Sequence, residues 1–151
     1  MAISKKELLL ALGNEEPEYE EILKKLDEKA IEYLSEFAKG RDLMLATKAI
    51  FLAGMYNMPS GHAIVESASK STVVLKRIAC ASALVYLSQE KREEIGEKLL
   101  GNEDVSIQKL VIKATGNSKS ARLREKFARL SKDSPSEFIR NLISTQSGPI
   151  P

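Results

Sequence analysis

His62 and Cys80 are the single histidine and the single cysteine of a 151-residue chain, so nucleophilic or metal-centred chemistry has to be built around one or both of them. A reactive thiolate needs an activating neighbour, and a Ser-His-Asp set needs an imidazole oriented by a carboxylate. His62 follows Pro59-Ser60-Gly61 in a turn, with no cysteine, serine elbow or suitably spaced carboxylate beside it. Cys80 stands among Ile78, Ala79, Ala81 and Ala83, where apolar burial raises a thiol pKa and leaves a small, inert core residue. The carboxylate pairs Glu20-Glu21 and Glu93-Glu94 lie on polar faces crowded with lysine. General acid–base work needs a desolvated carboxyl, and these read as solvated. No glycine-rich phosphate loop, nucleotide fingerprint or metal-ligand spacing occurs. The residues therefore point away from an enzyme, a metal and a cofactor, and an enzyme organised around His62 ranks third among the functional readings.

Charge supplies a better lead. The chain carries 23 Lys plus Arg against 21 Asp plus Glu, but the balance is uneven: residues 1–40 sum to −4, residues 41–104 to 0 and residues 105–151 to +6. Such a gradient gives a folded molecule a dipole that steers an anionic partner toward the basic end. Within the basic third, Lys119, Arg122, Arg124, Lys126, Arg129 and Lys132 crowd into one segment. On a helical wheel Arg122, Lys126 and Arg129 fall away from Leu123 and Phe127, forming a positive face.

The elements that position these side chains read as helices almost throughout. Ser4 with Glu7 forms a capping box for a helix that Gly13 closes in a position suited to a left-handed residue. Pro17 stands at the first position of a long amphipathic helix over 17–39, with Tyr19, Ile22, Leu23, Leu26, Ala30, Tyr33, Leu34 and Phe37 at three- and four-residue steps. Asp42 caps a helix to about Tyr56, and a short helix spans about His62 to Ser69. Ser71 or Thr72 opens a very apolar helix to Leu87, Ser88 one to Gly101, Asp104 one to Gly116, and Ser118 or Ser120 the basic helix. Ser134-Pro135-Ser136-Glu137 starts a last helix over about 135–144, with the proline at its first position. The count is about nine helices, followed by a flexible tail over 146–151. No secretion signal and no run of about 18 apolar residues is present, so the sequence reading is a cytoplasmic protein with no membrane partner.

A fixed spacing organises these helices. Leu75, Ile78, Ala79 recur as Ile107, Leu110, Val111 and as Ile139, Leu142, Ile143, each shifted by 32 residues, and Ala46, Ala49, Ile50 fit at a shift of 29. The cations repeat with them: Lys48, Arg77 and Lys109 share one slot, and Lys76, Gln108 and Arg140 the slot before it. Repeats of this length stack so that neighbours bury what one helix pair cannot. A non-repeating helical bundle is the alternative.

Segments such as Asn102-Glu103-Asp104-Val105-Ser106-Ile107-Gln108-Lys109-Leu110-Val111 resemble short HEAT repeats of the bacterial and archaeal kind, in which an acidic turn residue precedes an aliphatic and a cation. The resemblance covers about residues 41–145 and implies an all-α, right-handed α-α superhelix of about four to five antiparallel helix pairs. It implies a single solenoid domain over 1–145, with 1–40 as a divergent capping pair, and helices at about 42–56, 71–87, 104–116 and 135–144 on the concave side. Families of this fold mostly bind proteins or peptides, and some grip nucleic acid.

The functional expectation is a non-enzymatic adaptor, scaffold or accessory subunit binding an acidic protein segment. Its candidate partner-binding residues are Lys48, Lys76, Arg77, Lys109, Lys113 and Arg140 on the concave ridge and Arg122, Lys126 and Arg129 on the basic helix. Two alternatives stand beside it: the ridge cations pair with the acidic turn residues Asp42, Asp104 and Asp133 inside the fold, or the basic third binds nucleic acid.

Overall fold

The computed structural model describes residues 2–101 and 104–146. Ten α-helices and one 3₁₀ turn, with no strand, make up the regular structure of the described residues. Their contacts group the chain into two compact units, one within residues 1–87 and one within 88–151.

The first unit holds α1 (Lys5–Leu12), α2 (Tyr19–Leu23), α3 (Glu28–Lys39), α4 (Leu43–Tyr56), α5 (Pro59–Ser69) and α6 (Val74–Ala83), the last running into a 3₁₀ turn at Leu84–Tyr86. At its centre, α4 packs against α3, α5 and α6. Ala46, Ala49, Ile50, Leu52 and Ala53 are all fully buried, as expected of a helix enclosed on several sides. Small residues let the partners approach: a Cβ on Gly54 would lie only 2.6 Å from the Cβ of Ala83. Tyr19, Phe51 and Tyr86 form two edge-to-face ring pairs, with centroids 5.2 and 5.4 Å apart, which fasten α2 and the 3₁₀ turn to α4.

The second unit holds α7 (Gln89–Leu100), α8 (Val105–Thr115), α9 (Ala121–Asp133) and α10 (Glu137–Gln146). α7 packs on α8 and α9, and α10 on α8 and α9. Ile95, Leu99, Ile107, Val111, Phe127 and Ile139 form its core. The buried pair Leu123 and Phe127 and the exposed Arg122 and Arg129 confirm the amphipathic character of α9.

Local capping matches the sequence reading at several starts. The Ser4/Glu7 capping box is present, Asp42 accepts from the amide of Leu45, Asp104 from those of Ser106 and Ile107, and Ser120 from that of Leu123. Other expectations are corrected. The helix over 17–39 is two helices, because the Asp27 carboxylate accepts from the Ala30 amide and starts α3 afresh, leaving Pro17 before α2. Gly13 has φ −71°, a right-handed conformation, and among the described residues the one non-glycine residue with positive φ is Asn57 at 47°, closing α4. Helix α5 starts at Pro59, three residues before His62. Helix α6 starts at Val74 because the Ser71 hydroxyl accepts from Val73, ahead of the helix, and its α-helical part ends at Ala83. Pro135 lies outside α10, whose start is capped by the Ser136 hydroxyl accepting from Ile139. Residues 1–40 contain three helices, α1 to α3. Gln146 is the last residue of α10, and the remainder of the expected tail, 147–151, lies outside the described residues.

Candidate partner-binding surface

Four of the repeated cations, and Lys126 of α9, meet backbone oxygen. From α4, the Lys48 ammonium donates to the carbonyls of Leu12 at 3.0 Å and Asn14 at 2.8 Å, just where α1 ends. From α6, that of Lys76 donates to the Gly40 carbonyl at 3.1 Å, at the end of α3. In the second unit Lys126 donates from α9 to the Glu97 carbonyl at 3.0 Å, in the last turn of α7. Helix ends leave carbonyls without intrahelical partners and carry partial negative charge, so an ammonium there satisfies both. Arg77 and Arg140 share another contact: each guanidinium donates to the carbonyl six residues upstream, Ser71 at 2.7 Å and Ser134. The same contact at the same distance from the helix start aligns Arg140 with Arg77, whereas the 32-residue register pairs Arg140 with Lys76. Asp42 and Asp104, considered as pairing partners for the ridge, direct their carboxylates to helix-capping amides.

Other cations keep an exposed head. The Arg122 side chain is 81% exposed and 3.9 Å from Glu97. Arg129, also exposed, pairs with Glu125 at 2.6 Å across one helical turn. Surface pairs of this kind contribute only about 0–1 kcal/mol and leave the charge accessible. Lys113 is exposed on α8. One turn before it, the Lys109 ammonium stands over the Phe138 ring, 5.9 Å from its centroid, a cation–π arrangement.

Phe138 is absent from the residues that the sequence reading selected, and it is half exposed, at 52%. Helices α8 and α10 end together, since a Cβ on Gly116 would lie 3.2 Å from that of Gln146. Their packing places both starts at the other end of the pair. There Val105, also exposed, is the first residue of α8, and Phe138 is the second of α10. The first unit has a counterpart, for α4 and α6 meet at Gly54 and Ala83 and begin with the exposed Met44, Val74 and Leu75. The available sequence signal was an apolar side chain at the second helical position, at 44, 75 and 138.

A second feature of the first unit is a trough of about 720 Å³ along α3 and α5, lined by small residues with acids toward one end and lysines toward the other.

Cys80 is fully buried, its thiol directed at the Val65 carbonyl at 3.3 Å, and burial pushes its pKa up to about 12. The His62 Nε2 is 2.7 Å from the Asn57 Oδ1, a contact that joins the start of α5 to the left-handed residue before it. Glu93 accepts from the Ser118 hydroxyl, while Glu94 pairs with Lys91 at 3.2 Å and Glu21 with Lys24 at 3.1 Å. Among the described residues no three His, Cys, Asp or Glu side chains gather as metal ligands would, and no helix is long and apolar enough to cross a membrane.

The chain matches no protein-family model and no curated protein sequence.

Proposed function

We propose that this protein is a non-enzymatic interaction module, a cytoplasmic adaptor or accessory subunit, that binds an acidic protein segment through the second unit. The observation that carries the reading is Phe138, half exposed beneath the Lys109 ammonium, with Val105 at the same end of the helix pair and Lys113 one turn along. An exposed aromatic is an anchor that a partner can desolvate, and the cations around it set orientation and association rate. The exposed Arg122 and Arg129 extend the positive surface on α9. Lys48, Lys76, Arg77, Lys126 and Arg140 act chiefly as internal donors in this reading. The HEAT-like stack is part of the same proposal, supported by the 32-residue spacing and by the alike helix starts in the two units.

The test is recovery of tagged protein from lysate, nuclease-treated and untreated, comparing the wild-type chain with Phe138→Ser and with Lys109→Glu/Lys113→Glu. A stoichiometric protein that survives nuclease and is lost from both variants supports the reading. The same proteins recovered with all three chains would refute it.

One observation favours a second reading. Phe138 supplies an exposed aromatic face beside cations, which is what base stacking on single-stranded nucleic acid requires. That reading expects nuclease-sensitive material whose binding falls steeply with salt.

A further inference from the structure

The trough in the first unit has a direction. α3 and α5 both pack on α4, and the connections are only residues 40–42 and 57–58. Short connections make each neighbour antiparallel to α4, so α3 and α5 run parallel to one another. Glu28 and Glu32 line the trough toward the start of α3, and Lys39 and Lys70 line it at the ends of α3 and α5. Between these charged ends the walls carry Ala63 and Ser67, both exposed. The buried Ile31 and Ile64 add apolar surface.

We propose that this trough receives one amphipathic α-helix of a protein partner, antiparallel to α3 and α5, with acidic side chains in its first turn and basic side chains in its last. Small wall residues admit a helix backbone closely, in the helix-in-groove mode. The twelve residues of α3 span about 18 Å at a rise of 1.5 Å per residue, room for roughly three turns. Charge decides the direction. An antiparallel helix sets its acidic start against Lys39 and Lys70 and its basic end against Glu28 and Glu32. Its dipole also opposes those of α3 and α5, placing its positive end beside their negative ones. Acids early and bases late are the common arrangement in helices, so an ordinary helix meets the requirement.

A second copy of the chain matches less well. A two-fold axis would also bring acids to lysines, but it would set one concave surface over another and leave their volume unfilled, whereas a convex helix fills it. The trough lies wholly within the first unit and shares no residue with the Phe138 surface, so the two proposals stand or fall separately.

The experiment is selection from a display library of twelve-residue helices against the full chain, with the apolar face randomised and acid-first and base-first charge orders equally represented. Acid-first helices are expected to be enriched at least ten-fold. Ala63→Gln/Ser67→Gln, two neutral changes at exposed positions, should weaken the selected helices at least ten-fold without shifting the thermal melt. Reversing the four charged ends (Glu28→Lys, Glu32→Lys, Lys39→Glu, Lys70→Glu) should reverse the preferred order. The proposal is overturned by selection of no helix, by equal enrichment of both orders, or by undiminished binding to Ala63→Gln/Ser67→Gln. A dimer in sedimentation that the same double substitution dissociates would overturn it in favour of a second copy.

Discussion

The ammonium of Lys76 donates to the carbonyl of Gly40 at 3.1 Å, 36 residues upstream, the same separation that lies between Lys48 and its acceptor Leu12. Two lysines on neighbouring helices thus close the ends of two earlier helices. Lys76→Met keeps most of the apolar stem and removes the donor, so the part-buried Gly40 carbonyl loses its bond. The expected loss is about 1 kcal/mol, and about 1–2 kcal/mol for Lys48→Met, where two carbonyls lose their donor. Urea denaturation measures both, and unchanged midpoints would show that these contacts do not hold in solution.

Gly54 and Gly61 should respond to alanine in the opposite sense from an exposed glycine. In a helix, alanine usually stabilises relative to glycine by about 0.5–1 kcal/mol. Here the added Cβ would meet the Ala83 Cβ at 2.6 Å in one case and the Ala53 carbonyl in the other. Each substitution is expected to destabilise by about 1–3 kcal/mol. Gly101, where a Cβ would lie 3.6 Å from its nearest neighbour and φ is −71°, is the contrast. Gly101→Ala should be neutral or stabilising, by up to about 1 kcal/mol. Thermal melts of the three variants give the signs.

Burial of Cys80 carries a pH dependence. The thiol is held protonated in the folded chain up to about pH 12, against an ordinary value of 9.0. A folded-state pKa raised above the unfolded one gives stability that is complete below pH 9 and is lost as pH rises toward 12. Wild-type protein should therefore lose stability faster than Cys80→Ala between about pH 8.5 and pH 10.5, a range set by the unfolded thiol. Denaturation series on the two chains measure the difference in slope. A thiol-reactive dye at pH 8 should label native protein at least a hundred-fold more slowly than protein in urea.

Asp27 starts α3 where the sequence periodicity runs on without a break. Its carboxylate accepts from the Ala30 amide at 2.8 Å, so Asp27→Ala should cost about 1 kcal/mol, and Asp27→Asn much less, since asparagine also caps. Equal stability of all three chains in calorimetry would return 17–39 to a single helix.

The sequence by itself determined what is settled within one turn of chain. Ser4 with Glu7, Asp42, Asp104 and Ser120 find their amides two or three residues away, so the identity of each capping residue was enough to place a helix start. Helical class, the apolar burial of Cys80 and the buried stripe of α9 were legible for the same reason, since a period of 3.6 residues reports a face directly. The Asp27 start was missed because apolar spacing continues through residues 22–30 and hides a break made by one carboxylate. The tertiary structure alone decided the fate of the cations. Lys48, Lys76 and Lys126 have acceptors 36, 36 and 29 residues distant, and a repeating charge in a sequence reads identically whether it faces a partner or a helix end. It also decided which repeated apolar residues stay outside. Leu75 heads the same triple as the buried Ile107 and Ile139 yet is half exposed, because it is the second residue of α6, whereas Ile107 and Ile139 are the third residues of α8 and α10. Phe138 and the polarised trough belong to the same class: exposure and concavity arise from how neighbouring helices are placed, which no local spacing encodes.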